Sequence, residues 1–314
     1  MSNDFLVSTV SSSLAGLLAR SICHPIDTCK AKLQSADTFR GVLDVVRTTY
    51  RKEGVPGFYR GLGAVLVGGV PGVCVYISTY EACKEHLQQY SWIRANPFLS
   101  YFASGMVAEA VCCTLFVPVD VIKERLQVQS NRPDKAYSGS LDALRTIARE
   151  EGVGVLYKGY TATLFSYGPF SALYFLMYEE AKDRLAQARD SGNSGNSGAK
   201  LSFADNLLCS AVAGSLASFL TNPLDLAKLR YQVQRSSTSS TPTSTSAPTP
   251  THSSAPPLVH EQRYTGLTDA LQKLYRQGGV RGLFRGALTR VLFFTPSTAI
   301  TMAAYDKLKD LLSK

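Results

Sequence analysis

Long apolar segments alternate along the chain with short stretches of helical, amphipathic spacing. Residues 6–30 are apolar and rich in small side chains (Ser11, Ser12, Ser13, Ala15, Gly16, Ala19), yet Arg20, His24 and Asp27 interrupt them. A purely lipid-facing span does not tolerate those charges, whereas a helix with one face on lipid and one on water does. Small residues let such helices approach closely. Residues 38–53 follow with Phe39, Val42, Leu43, Val46 and Tyr50 on one side and charges opposite, which predicts a short amphipathic helix ending at Gly54. Residues 62–80 are apolar again, glycine-rich, with Pro71 in the middle. The same order returns as 98–123, 141–150 and 161–178 (Pro169 inside), and once more as 203–228, 267–275 and 287–305 (Pro296 inside). The predicted fold is therefore all-α, a membrane protein of six transmembrane helices in three pseudo-threefold repeats, 1-90, 97-188 and 203-314. Both termini fall on one side and the short amphipathic helices on the other. Two stretches lie outside the pattern. Residues 191–198 read as a flexible Ser-Gly-Asn linker, and 236–257, dominated by Ser, Thr and Pro, cannot bury a core and read as a disordered loop insertion.

The ends of alternate long segments carry the chemistry. Pro25-x-Asp27-x-x-Lys30 recurs as Pro118-x-Asp120-x-x-Lys123 and Pro223-x-Asp225-x-x-Lys228. Each copy continues to a second base (Lys32, Arg125, Arg230) and a glutamine (Gln34, Gln127, Gln232). Acid and base at i, i+3 share a helix face. Three such helices about one axis make a ring in which Asp27 meets Lys123, Asp120 meets Lys228 and Asp225 meets Lys30. The remaining long segments end in a matching set: Tyr80, Glu81 and Lys84; Tyr178, Glu179 and Lys182; Tyr305, Asp306 and Lys309. That set lies at the opposite end of the spans. A lone i, i+3 pair on an exposed helix end contributes only a few tenths of a kcal/mol. Six copies in threefold register inside apolar segments read instead as two ion-pair gates on one water-lined path. Desolvation offsets most of the Coulomb gain, leaving a closed ring worth about a few kcal/mol. Substrate binding can supply that much, so one ring opens as the other closes.

Composition narrows the alternatives. Hydrophobic residues make up 45% and charged residues 18% of the chain, below the usual quarter for globular proteins, as suits membrane helices that are partly polar. The net charge of +9 suits anionic lipid headgroups. Neither a secretory signal nor an Arg-rich presequence is expected, because Met1 to Asp4 place no positive charge before the first apolar run. The cysteines at 23, 29, 74, 83, 112, 113 and 209 show no Cys-x-x-Cys spacing and fall inside candidate helices. They read as buried reduced thiols, with no metal site or disulfide framework. There is no Gly-rich phosphate loop after a strand, no zinc spacing and no nucleophile with a His partner, so neither an enzyme nor a cofactor is expected.

These motifs resemble the mitochondrial carrier family across nearly the whole chain. Its signature is Pro-x-acid-x-x-base-x-base, then an acid-Gly pair, four residues, and aromatic-base-Gly. Repeat one completes it with Glu53-Gly54 and Tyr59-Arg60-Gly61, repeat two with Glu151-Gly152 and Tyr157-Lys158-Gly159. Repeat three ends in Phe284-Arg285-Gly286 but has Gly278 where the acid belongs before Gly279, which puts one local contact in doubt. The resemblance implies a multi-pass transporter of the mitochondrial inner membrane with matrix-side short helices. It implies a matrix gate braced by Gln34, Gln127 and Gln232, and a cytoplasmic gate braced by Tyr80, Tyr178 and Tyr305. It implies cardiolipin at helix N-termini near Gly61, Gly159 and Gly286; helix N-termini do bind phosphates. The expected partners are a small-molecule substrate and this lipid, with no nucleic acid, and the protein is expected to be a monomer.

Substrate choice should sit where the repeats differ. The family's central contact positions fall at Gly68 and Gly69, Ser166 and Tyr167, and Phe293 and Phe294. None is charged, which argues against a strongly anionic substrate. Arg20 and Glu109 have no repeat equivalents, and intramembrane charges are functional suspects; Glu109 reads either as a substrate contact or as a structural pair with Arg20. Arg290 reads as structural and His24 as a packing residue. Glu109, with Gly68-Gly69-Val70-Pro71, looks like the S-adenosylmethionine carrier group, although Ser166-Tyr167 stands where that group has an Arg-acid pair. Thr295-Pro296-Ser297-Thr298 looks like the branched-chain amino acid carrier group. A cationic or zwitterionic substrate, exchanged in antiport, is the expectation. The alternative is a carrier fold that serves as a receptor or scaffold, against which the two complete gates argue.

Overall fold

The structure is a computed structural model describing residues 3–36, 39–94, 97–129, 137–192, 202–234 and 263–312, which are helical throughout with no strand among them. In chain order the helices are α1 (Asn3–Ser35), α2 (Val42–Glu53), α3 (Leu62–Leu87), α4 (Ser91–Arg94), α5 (Pro97–Val128), α6 (Ser140–Glu150), α7 (Tyr160–Gly192), α8 (Phe203–Leu220), α9 (Asn222–Val233), α10 (Leu267–Leu283) and α11 (Ala287–Leu312). Short 3-10 turns, Val55–Tyr59 and Val153–Tyr157, lead from α2 into α3 and from α6 into α7. The expected linker at 191–198 begins inside α7, which runs to Gly192. Its remainder and the insertion at 236–257 lie outside the described residues.

The segment expected as one helix over 203–228 is two, bent by 62° at Thr221. Pro223 lacks an N–H and its ring crowds the preceding turn, but Pro25 and Pro118 do the same inside continuous α1 and α5. Asn222 stands just after the bend. Fully buried, it donates its amide to the carbonyls of Leu283 (2.9 Å) and Arg285 (3.4 Å), which ties the start of α9 to the α10–α11 junction. Among the described residues one helix, Leu99–Val128, is long and apolar enough to cross a membrane alone. Two bent pairs, Val55–Gly69 with Pro71–Leu87 and Ala204–Leu220 with Asn222–Val233, qualify when each is taken as one span.

Each short helix packs on the stretch after the proline of its own third of the chain. Val45 joins Cys29 and Leu33; Ala143 and Ile147 join Ile122 and Leu126; Ala270 and Leu274 join Leu226 and Ala227. The three post-proline stretches meet one another through Ala31, Val128 and Leu229. The apolar side expected for α2 is divided. Phe39 and Val42 face the cluster, but Leu43 (86% exposed), Val46 and Tyr50 lie on the outside. Leu141 on α6 and Tyr275 on α10 are exposed likewise. Such a helix presents a second apolar face of the kind that lies along a bilayer interface. Five of the seven cysteines are buried as expected, whereas Cys74 is exposed and Cys83 half-buried.

The short helices share a start that the sequence reading did not use. An aspartate three residues after the capping glycine accepts a backbone N–H from the residue ahead of that glycine. The bonds are Asp44 from Arg40 (3.1 Å), Asp142 from Ser138 (2.9 Å) and Asp269 from Thr265 (2.9 Å). That is why α2 starts at Val42 and not at residue 38. The Ser138 N–H holds the Asp142 carboxyl below its ordinary value, and Lys273, with the Thr265 N–H, does so for Asp269. A carboxylate shifted down contributes stability above its unfolded value of about 4 and loses it as pH falls through the folded value. Asp142→Asn should therefore lower the unfolding temperature slightly at neutral pH, with the difference from wild type closing in acid. An unchanged difference at both pH values would show that the cap is not electrostatic.

Candidate functional site

The three Pro-x-Asp-x-x-Lys copies converge at one end of the bundle. Lys123 Nζ lies 2.6 Å from Asp27, Lys30 Nζ 2.6 Å from Asp225 and Lys228 Nζ 3.1 Å from Asp120, so each acid meets the lysine of the next copy. These side chains are mostly buried, between 13% and 30% exposed. Arg290 adds a fourth cation, its Nε 3.6 Å from Asp225, and anchors itself on the Ser218 carbonyl (3.2 Å) and over the Phe170 ring. Of the three glutamines, Gln127 donates to Asp27 and to Thr28 Oγ1, both at 3.2 Å. Gln34 donates to Asn222 Oδ1 (3.2 Å), and Gln232 lies against Gly159.

The second base of each copy ties the ring to its surroundings. Lys32 pairs with Glu53 and Arg125 with Glu151, while Glu53 also holds Arg60 at 2.9 Å. In the third copy, where Gly278 replaces the acid, Arg230 donates to the Gln34 carbonyl (2.9 Å). Arg285 donates to the carbonyls of Leu33, Ala36 and Phe39, at 3.1, 3.0 and 2.6 Å. The residue before the proline reaches the aromatic-base-Gly turn: His24 Nε2 bonds the Arg60 carbonyl at 3.0 Å, as Asn222 does that of Arg285.

Gly61, Gly159 and Gly286 precede α3, α7 and α11 with φ of 84°, 89° and 77°, a left-handed backbone that favours glycine. They also admit a close approach. A Cβ at Gly61 would stand 2.9 Å from the Lys123 carbonyl oxygen, at Gly159 2.7 Å from Gln232 Cγ and at Gly286 2.8 Å from Gln34 Cγ. Beside Gly61 is a cavity of about 330 Å³, lined by Arg60, Leu126, Gln129 and Tyr137 and reaching Ser138, Gly139 and Ser140 at the start of α6.

Among the described residues the second set, at the other ends of α3, α7 and α11, makes no ion pair between thirds of the chain. Lys182, half-buried, pairs with its own neighbour Glu179, which is exposed (3.4 Å). The lysines lie over aromatic rings instead: Lys84 over Tyr101 at 5.1 Å, Lys182 over Tyr178 at 5.2 Å and Lys309 over Tyr305 at 5.8 Å. Among the described residues no ion pair joins Glu81 or Asp306 to another third of the chain. One end is closed by charge pairs; the other is not.

Between the ends, Tyr76 and Tyr167 join through their hydroxyls at 2.9 Å, and Tyr76 lies within electrostatic reach of Glu109. Glu109 accepts only the Cys113 thiol (3.5 Å) and forms no ion pair with Arg20. Arg20 sits over the Phe116 ring at 5.7 Å. Phe294 packs against Gly214, Phe170 and Tyr174. Ser166 is buried and Phe293 half-buried on their helices. Gly68 and Gly69 lie in helix contacts, facing Val119 of α5 and Leu17 of α1. Tyr76 was missed by the sequence reading although its signal is simple: it stands four residues before Tyr80 and stacks on it, as Tyr174 does on Tyr178. Among the described residues no group of three or more His, Cys, Asp or Glu side chains is placed to hold a metal ion.

Comparison with known proteins gives the same outline. A sequence model of the family described as "Mitochondrial carrier protein" matches residues 2–91, 94–189 and 199–314. Mitochondrial substrate carrier family protein E of Dictyostelium discoideum is 31% identical, over 98% of this chain and 96% of that protein. Human Mitoferrin-2 is 29% identical, over 97% of this chain and 77% of that protein. The Mitochondrial S-adenosylmethionine carrier protein of Danio rerio is 28% identical, over 98% of both.

Proposed function

The chain belongs to the mitochondrial carrier protein family, and from that premise we propose that it moves a small cationic or zwitterionic solute across the mitochondrial inner membrane by alternating access. The observation that carries this reading is the asymmetry of the two ends. Three mostly buried acid–lysine pairs join the thirds of the chain at one end, whereas among the described residues the matching charges at the other make no pair between thirds, Lys182 meeting only Glu179 of its own helix. A rigid scaffold has no need of a second, unformed set. In this proposal the long segments make six spans in three repeats, α8 with α9 counting as one. The paired ring is the matrix gate, with Gln127 bracing it. The open set is the cytoplasmic gate, whose lysines leave the rings of Tyr101, Tyr178 and Tyr305 to pair when it closes. The cavity beside Arg60, Gly61 and Gly139 fits an anionic headgroup such as that of cardiolipin, because two helix N-termini and a guanidinium converge there.

The substrate meets Glu109 and Arg20 between the two gates. Neither is neutralised by an ion pair, so a solute carrying an ammonium or sulfonium near a carboxylate complements both. The likeness to an S-adenosylmethionine carrier supports that class. The test is exchange in liposomes containing the purified full chain, against S-adenosylmethionine, amino acids and nucleotides. Uptake of a cationic or zwitterionic solute is expected, with Glu109→Gln raising its KM about tenfold or more. Unchanged KM would remove Glu109 from the site; no exchange of any solute would favour the receptor or scaffold reading.

A further inference from the structure

One turn beyond Asp120, on the same helix face, α5 carries a fourth acid at the ring. Glu124 stands between the two bases of its copy, where the other copies have Ala31 and Leu229. Its Oε2 is buried and makes neither a hydrogen bond nor an ion pair. The charged groups acting on it are Lys123 and Asp120 of its own helix, with Lys228 and Asp225 of α9. Each nearby cation already serves another acid: Lys123 holds Asp27, Lys228 holds Asp120, and Lys30 and Arg290 hold Asp225. Arg125 turns away to Glu151 and the Gln232 and Gln234 carbonyls. An ionised Glu124 would be a fourth negative charge among three acids, with one oxygen sealed from water. Burying such a charge without a partner costs far more than burying the neutral acid.

We propose that Glu124 is a proton-binding site of the gate, taking up one proton each time the ring closes and releasing it each time the ring opens. The inference rests on the carrier reading above. When the ring opens, Lys123 and Lys228 lose Asp27 and Asp120 and stand free beside Glu124, and water reaches the carboxyl. The O–H bond then breaks, the proton leaves to solvent on that side and the carboxylate keeps the electron pair. Closure reverses the step. The pH on the ring side therefore sets how readily the gate opens, low pH holding it shut. The asymmetry lies in one repeat only, so one proton accompanies each closure.

Two readouts test this on the full chain. In liposomes, wild-type exchange should change by roughly five- to tenfold as the ring-side pH is taken from about 5.5 to 8.5. Glu124→Gln, neutral at every pH, should vary less than about twofold over that range. Without any solute, the unfolding temperature of the detergent-purified protein should fall as pH rises across the same range, because the native state holds a proton that the unfolded chain has lost. That fall should be absent in Glu124→Gln and in Glu124→Leu, which repeats the side chain already tolerated at Leu229. Equal pH profiles in wild type and both variants would overturn the proposal. The thermal readout needs no transport, so loss of exchange with a Glu124-dependent thermal profile would count against the carrier reading alone. Exchange with no effect of Glu124 on either readout would count against this inference alone.

Discussion

Asp27→Ala should cut exchange by about tenfold or more and lower the unfolding temperature of the substrate-free protein. The carboxylate it removes takes Lys123 at 2.6 Å and the Gln127 amide at 3.2 Å. Lys123 is only 17% exposed, so losing its partner leaves a largely desolvated cation, and that penalty exceeds the net worth of the intact pair. Each 1.36 kcal/mol of lost stabilisation in the closed ring is a factor of ten in its population against the open one. The double variant Asp27→Ala with Lys123→Ala leaves no unpaired charge and should recover part of both losses. Swapping the pair should recover less. Lysine at 27 would stand one turn from Lys30 and aspartate at 123 one turn from Asp120, and like charges at i, i+3 repel. Transport and thermal unfolding of the four proteins check the order. If the neutral double is no better than Asp27→Ala, the pair is not what stabilises this end of the bundle.

The ring was legible in the sequence because its spacing is written three times: once three copies surround an axis, an i, i+3 acid and base on one helix face can meet the neighbouring copy, as they do at this end. The all-helical fold followed from the same repetition. Other features depend on side chains whose partners come from distant segments, and these periodicity does not reveal. The bend at Thr221 is one, and beside it Asn222 stands where the other copies have His24 and Val117; no count along 203–228 shows that its amide finds Leu283. Gly68 and Gly69 mark positions by register, but a glycine does not announce which helix it admits; here Val119 and Leu17 fill the space. The outward side of α2 was hidden for a different reason. Leu43, Val46 and Tyr50 satisfy the same apolar pattern as a core-facing stripe, because a helix at a membrane interface is apolar toward lipid as well as toward protein.

Arg125→Ala should be the most destabilising single change near the ring. The guanidinium is 1% exposed and joins three parts of the chain. It forks onto both oxygens of Glu151, after α6, and donates to the carbonyls of Gln232 (3.4 Å) and Gln234 (3.0 Å) at the end of α9. Glu151 is itself only 8% exposed. Truncation takes the guanidinium from that carboxylate and opens two carbonyls at once. Breaking a buried pair by one partner costs about 3–5 kcal/mol, which lowers the unfolding temperature by on the order of 10 °C. Arg125→Leu combined with Glu151→Leu should cost markedly less, since it removes both charges and keeps apolar volume. Losses as large in the double leucine variant as in Arg125→Ala would mean that the carbonyl contacts, and not the paired charge, hold the repeats together at this end.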